Sequence, residues 1–174
     1  KTLMAAVDVN TGETFAWDPR ARGAAGAASP SGEVTGRGIA DGPIDGATPA
    51  VLNLGHVEIR TSDGKSFYAD EQGRFTVPGE GTQPVELTVR LSGRYAAVQD
   101  QQGKDLVVTL TAKPGESLRV VFNPQGAEEG LLAQVNAYFH TTLVHDWLVK
   151  AGINLEALNR PMPVKTNIDY DCNA

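Results

Sequence analysis

Apolar and polar residues alternate in short bursts along the middle of the chain, and each burst ends in residues that make turns. Gly55-His56-Val57-Glu58-Ile59-Arg60 alternates, Ser62-Asp63-Gly64 turns, Ser66-Phe67-Tyr68-Ala69-Asp70 follows, Glu71-Gln72-Gly73 turns, and Arg74-Phe75-Thr76-Val77-Pro78 returns. The pattern predicts three strands in a meander, because side chains on extended backbone point to opposite faces in turn and Gly supplies the left-handed backbone of tight turns. Val85, Leu87, Val89 and Leu91 share one face of a further strand, and residues 96–98, 106–110 and 117–122 supply more at roughly even spacing. This predicts a mainly β class, built on an antiparallel β-sandwich of about seven strands over residues 51–122.

After Pro124 the period changes. Leu131, Val135, Tyr138, Phe139, Thr142, Leu143, Asp146 and Trp147 recur at steps of three and four, which predicts one long amphipathic helix over residues 131–150, capped by Gly152. Residues 163–170 alternate as a terminal strand with Val164, Thr166, Ile168 and Tyr170 on one face and a free edge. Upstream, Ala6-Val7-Asp8-Val9 and Glu13-Thr14-Phe15-Ala16-Trp17 flank Asn10-Thr11-Gly12 and predict a β-hairpin within residues 1–17. Residues 18–50 are rich in Gly, Ala, Ser and Pro, the composition of a linker, with one short strand expected at 34–39.

Composition narrows the partners. The 15 basic and 21 acidic residues leave a formal net charge of −6 with no run of Lys or Arg, and phosphate-backbone binding needs clustered positive charge, so nucleic acid is not an expected partner. No apolar run approaches the ~20 residues of a membrane helix, so a membrane is not expected either. Cys172 is the only cysteine. It cannot form an internal disulfide and stands as either a buried free thiol or half of an intermolecular bridge.

The chain has no His-Glu-x-x-His, the motif that sets two imidazoles one turn apart around a zinc ion with a general base between them. It also lacks a Gly-x-Ser-x-Gly elbow and a phosphate loop. His140 and His145 lie five apart, about 140° round a helix, and cannot share a metal as an i, i+4 pair would. His145 is therefore read as a structural histidine of a core or interface, and Asp146 as a structural hydrogen-bond acceptor. Asp63, Asp70 and Glu71 cluster near turns but match no calcium-loop spacing, and turn chemistry accounts for them.

The words "AQVNAYFHTTLVHDWLVKAG" at 133–152, "RPMPV" at 160–164 and "DCNA" at 171–174 resemble the start of the catalytic domain of thermolysin-like zinc peptidases, most closely the fungalysin family and its secreted bacterial relatives. "VDVNTGE" resembles the closing strands of the propeptide modules that precede such domains, and residues 56–79 resemble the carboxypeptidase-regulatory-like, transthyretin-like or Ig-like sandwich. The resemblance implies a non-catalytic N-terminal portion of a secreted zinc metalloendopeptidase. Residues 1–17 would close a propeptide module, 18–50 link, 51–122 form an accessory sandwich, and 123–174 open an incomplete thermolysin-like domain. It implies no cofactor in this chain, with zinc, and calcium as a further candidate, in the complete enzyme. The implied partners are the remainder of the catalytic domain, in the same or a second chain, and a peptide or protein substrate. Asn173 and Ala174 match the Asn-Ala word of the family's substrate-pairing edge strand, where main-chain bonds hold the peptide irrespective of its sequence. A bridge from Cys172 to a cysteine further along is also implied. The competing expectation is a free-standing extracellular β-sandwich module that binds protein or glycan. A complete module would cover the Leu131, Val135, Phe139 and Leu143 stripe with its own sheets, whereas a portion of a larger enzyme would leave it needing a partner.

Overall fold

The computed structural model describes residues 4–7, 14–17, 28–41, 46–79, 83–153 and 155–169, and it is mainly β. Strands β1 (Met4–Val7) and β2 (Thr14–Trp17) pair antiparallel, as the hairpin pattern predicts. Next come β3 (Ser31–Gly38), β4 (Ala50–Asn53), β5 (Val57–Thr61), β6 (Ser66–Tyr68), β7 (Arg74–Thr76), β8 (Val85–Gly93), β9 (Ala96–Asp100), β10 (Val107–Ala112) and β11 (Ser117–Phe122). The chain closes with helix α1 (Glu129–Lys150), a 3-10 turn η1 (Glu156–Asn159) and β12 (Met162–Thr166). No helix among the described residues is long and apolar enough to cross a membrane.

Two mixed sheets share one core. In the six-stranded sheet β8 is the hub, pairing with β5, β9 and β10, while β6 and β12 lie at the ends of its strand order. In the four-stranded sheet β11 lies along β3, which also pairs with β7 over 31–33 and with β4 over 35–38. Leu87, Val89 and Leu91 from β8, Val57 and Ile59 from β5, and Val34, Leu118, Val120 and Phe122 from the smaller sheet are buried together.

Three expectations change here. Pairing is not antiparallel throughout, because β11 runs parallel to β3 and β12 parallel to β9. The meander breaks after β6, since β7 joins β3 in the other sheet. Gly73 adopts φ 78°, Asp70 gathers the N–H groups of Gln72 and Arg74, and Val34 N–H reaches Gly73 O at 2.7 Å, so the backbone leaves the first sheet at this turn. Finally, the short strand expected in the Gly-rich stretch spans Ser31–Gly38 and sits centrally, with Val34 0% exposed. Its glycines answer crowding. A Cβ on Gly32 would lie 2.5 Å from Leu118 O, and one on Gly36 would lie 2.9 Å from a Val135 methyl.

Helix α1 ends in a Schellman arrangement, with Gly152 at φ 81°, Gly152 N–H on Val149 O and Ile153 N–H on Leu148 O. Its buried positions are Gln134, Val135, Tyr138, Thr142 and His145. Of the anticipated stripe only Val135 is fully buried; Leu131 and Phe139 are half-buried and Leu143 is exposed. The terminal strand stops at Thr166, and Asn167 at φ 53° interrupts the expected alternation, leaving Ile168 exposed. Tyr170 lies outside the described residues.

Val34→Ala tests the central role of β3. A linker residue would tolerate it, whereas removing two methyls from a closed core is expected to cost on the order of 2 kcal/mol in chemical denaturation.

Candidate functional site

The densest polar constellation forms where α1 crosses the turn before β5. Positions 138, 142 and 145 recur at helical spacing on the inner face, and Asp146 follows beside them. The turn supplies His56 with φ 62°, an uncommon conformation for a residue with a side chain. His56 is held on both sides, its N–H donating to Asp70 O and its C=O accepting from Arg94 N–H, each at 3.1 Å. Gly93 makes this approach possible, because a Cβ there would lie 2.2 Å from His56 O.

Asp146 Oδ1 serves both imidazoles. It accepts from His145 Nδ1 at 3.0 Å and lies 3.4 Å from His56 Nε2, within ion-pair reach but too poorly aligned for a hydrogen bond. Tyr95 wedges between the rings, stacked on His145 at 3.4 Å between centroids and meeting His56 edge-on at 4.9 Å. Deeper in, the Tyr138 hydroxyl donates to Gly55 O at 2.9 Å. Burial, reinforced by negative Asp146, holds this phenol well above its ordinary range, so it remains a donor.

One cavity lies on each side. The first, about 490 Å³, is bounded by His56, Tyr68, Arg94 and Tyr95, with the Arg94 guanidinium 4.4 Å above the Tyr68 ring. The second, about 310 Å³, lies between α1, η1 and the start of β12 and includes Tyr95 and His145 in its wall.

The structure thus joins His145 and Asp146, the structural pair anticipated from sequence, to His56 and Tyr95, which sequence reasoning did not place with them. The only local signal was a Gly-His turn ahead of a strand, and it is silent about which distant carboxylate the imidazole meets. His140 is separate, its Nε2 donating to Ile39 O at 2.8 Å. Asp63 and Asp70 act within their turns. Hydrogen bonds from Lys65 and then from Thr61 pull Asp63 down to about 2. For Asp70, partial burial opposes ionisation, yet hydrogen bonds from Arg74 and Gln72 outweigh it and lower the carboxyl. Cys172, Asn173 and Ala174 lie outside the described residues. Among the described residues no group of three His, Cys, Asp or Glu side chains is disposed to hold a metal.

Chemically, Asp146 accepts from one imidazole and faces a second across the Tyr95 ring, while the directional tie between helix and turn is the Tyr138 hydroxyl on Gly55 O. Compared with known protein families, curated proteins and solved structures, the chain finds no match.

Tyr138→Phe removes the donor and strands the buried Gly55 carbonyl, an expected loss of about 1–3 kcal/mol. The phenol's raised folded-state value means that the folded protein binds this proton more tightly than the unfolded chain. Its contribution is full below the unfolded value of about 10 and declines as pH rises beyond it. Denaturation midpoints between neutral and strongly alkaline pH should therefore fall less steeply for Tyr138→Phe than for the parent.

Proposed function

We propose that residues 1–174 are the non-catalytic N-terminal portion of a secreted, fungalysin-like zinc metalloendopeptidase. In this reading the strands from β3 to β11 are a transthyretin-like accessory sandwich, and α1 and β12, which extends the larger sheet beside β9, open the thermolysin-like domain. The observation that supports it is the outer face of α1. Leu143 and Trp147 are 48% and 64% exposed, and Ile153 and Leu155 add apolar surface just beyond the helix. An apolar cluster on a helix face suits burial against another part of a protein, in this reading the remainder of the catalytic domain.

The described residues do not fit a zinc site. His140 uses Nε2 on Ile39 O, and His145 uses Nδ1 on Asp146. Zinc, and calcium if present, belongs in this reading to the rest of the enzyme, so the reaction draws on this chain for support and for substrate pairing through Asn173 and Ala174. The burial of Val135 and Tyr138 against the chain's own sheets favours the second reading, an extracellular sandwich module that binds protein or glycan. The partly aromatic cleft at Tyr68 and Arg94 would be its binding surface.

Trp147→Glu separates the two. In residues 1–174 alone the exposed site should tolerate it, with the melting temperature nearly unchanged. In the complete polypeptide it would bury an unpaired charge and should cost on the order of 2 kcal/mol or more. Indifference in both settings, or a complete polypeptide without stoichiometric zinc, would refute the peptidase reading.

Asn173→Ala in the complete enzyme should lower kcat/KM by roughly twofold to tenfold, the worth of one neutral hydrogen bond to substrate, with zinc content and melting temperature retained. An unchanged kcat/KM would remove Asn173 from the substrate edge.

A further inference from the structure

The geometry points to a binding site for a small apolar monocarboxylate in the cavity of about 310 Å³ between α1, η1 and β12. Its wall is mostly hydrocarbon: Val144 and Leu148 come from successive turns of α1, Leu158 from η1 and Met162 from β12. Into this apolar wall the segment joining η1 to β12 places Arg160. No carboxylate among the described residues lies within ion-pair distance of that guanidinium, and no Asp or Glu is among the cavity's described wall residues.

This is unusual company for an arginine in a chain of net charge −6. Asp146 and Glu156 adjoin wall residues in sequence but do not line the cavity or pair with Arg160, so the one fixed cation there has no internal counter-ion among the described residues. The complement of such a surface is a ligand with an apolar body and a single negative end. The body would displace water from the hydrocarbon wall, and the carboxylate would take the two parallel N–H donors that guanidinium presents. A neutral hydrocarbon would leave the guanidinium unused. A phosphate or a dicarboxylate would set surplus charge against Leu148 and Leu158.

Size narrows the choice further. Cavities that enclose small ligands run from roughly 300 to 1,000 Å³, and this one lies at the lower end, which suits octanoate or 3-phenylpropionate better than a long-chain acid. His145 shares the wall, but its Nε2 is shut off from solvent and its ring is stacked on Tyr95, so Arg160 is the polar group that a ligand in this cavity would meet. Asp146, on His145 Nδ1, is not part of that wall.

The test uses residues 1–174 with octanoate and its uncharged analogue octanamide, followed by calorimetry and by NMR shifts of Leu148, Leu158 and Met162. Saturable octanoate binding is expected in the millimolar range or tighter. Octanamide should bind about fivefold more weakly, the size of one partly exposed charge-assisted contact. Added salt should weaken octanoate and leave octanamide unchanged, since only the former depends on a charge that salt screens. Arg160→Leu, at an exposed position and checked by circular dichroism, should bring the two ligands to equal affinity. Leu158→Trp should fill the cavity and abolish both. Equal binding of acid and amide by the parent protein would overturn the proposal, as would octanoate binding that survives Leu158→Trp or no saturable binding at all. A final arm compares acetyl-Ala-Ala-Leu bearing a free C-terminus with octanoate. Tighter binding of the peptide would assign the site to a polypeptide terminus and overturn the small-acid assignment.

Discussion

Ile39 stands where β3 runs out of sheet partners, and two side chains of α1 take over both of its backbone groups. Asn136 Oδ1 accepts its N–H at 2.7 Å, and one turn further along His140 Nε2 donates to its carbonyl at 2.8 Å. A buried backbone donor or acceptor left unpaired would cost a substantial part of a hydrogen bond, so the chain cannot end this strand inside the fold without the helix in register. Gly36 and Gly38 complete the seat, since a Cβ on either would run into Val135 or Asn136. Helix position, and with it every contact further along α1, follows from this small area.

Once the N-terminal half of α1 is fixed, its remaining inner side chains fall on particular backbone groups of the larger sheet. Gln134 Oε1 accepts from Leu106 N–H, while its amide nitrogen donates to Lys104 O and Asp100 Oδ2. Tyr138 reaches Gly55 O, and Asp146 accepts from His145. Near the start of the helix, Asn167 Nδ2 donates to Gly130 O and ties the end of β12 to it. These are directional contacts at fixed points. A slide by one residue would leave several buried polar groups without partners, a penalty that hydrocarbon packing alone would not impose.

Much of this was legible in the sequence, and the failures have physical causes. Strands with strict alternation, such as β5 and β8, were visible because their inward positions are large and apolar. The long helix and its Gly152 cap were visible for similar reasons. Strand β3 reads as linker in the sequence because Gly32, Gly36 and Gly38 lower its apolar content, although those glycines reflect crowding by Leu118, Val135 and Asn136. The meander failed at Gly73, because a turn signal tells that the chain reverses and leaves open which strand it will meet. Within the polar cluster, His145 and Asp146 could be assigned structural duty from one helix, but their meeting with His56 depends on a left-handed residue in a distant turn.

The helix stripe differs from the strands in a way that bears on function. Ordinary amphipathic helices turn hydrocarbon inward and polar groups outward. The C-terminal half of α1 does the reverse, burying Thr142 and His145 while presenting Leu143, Val144 and Trp147 to solvent. Counting apolar residues in this half of the helix therefore locates a face that the described residues leave exposed. The inward polar groups need partners at specified positions, which the chain's own sheets and turns supply. The outward hydrocarbon needs only a complementary surface. A helix divided in this way, directional on one side and merely apolar on the other, has the form of an element shared between two bodies. That division is the physical content of the proposal that α1 joins an accessory β module to further protein.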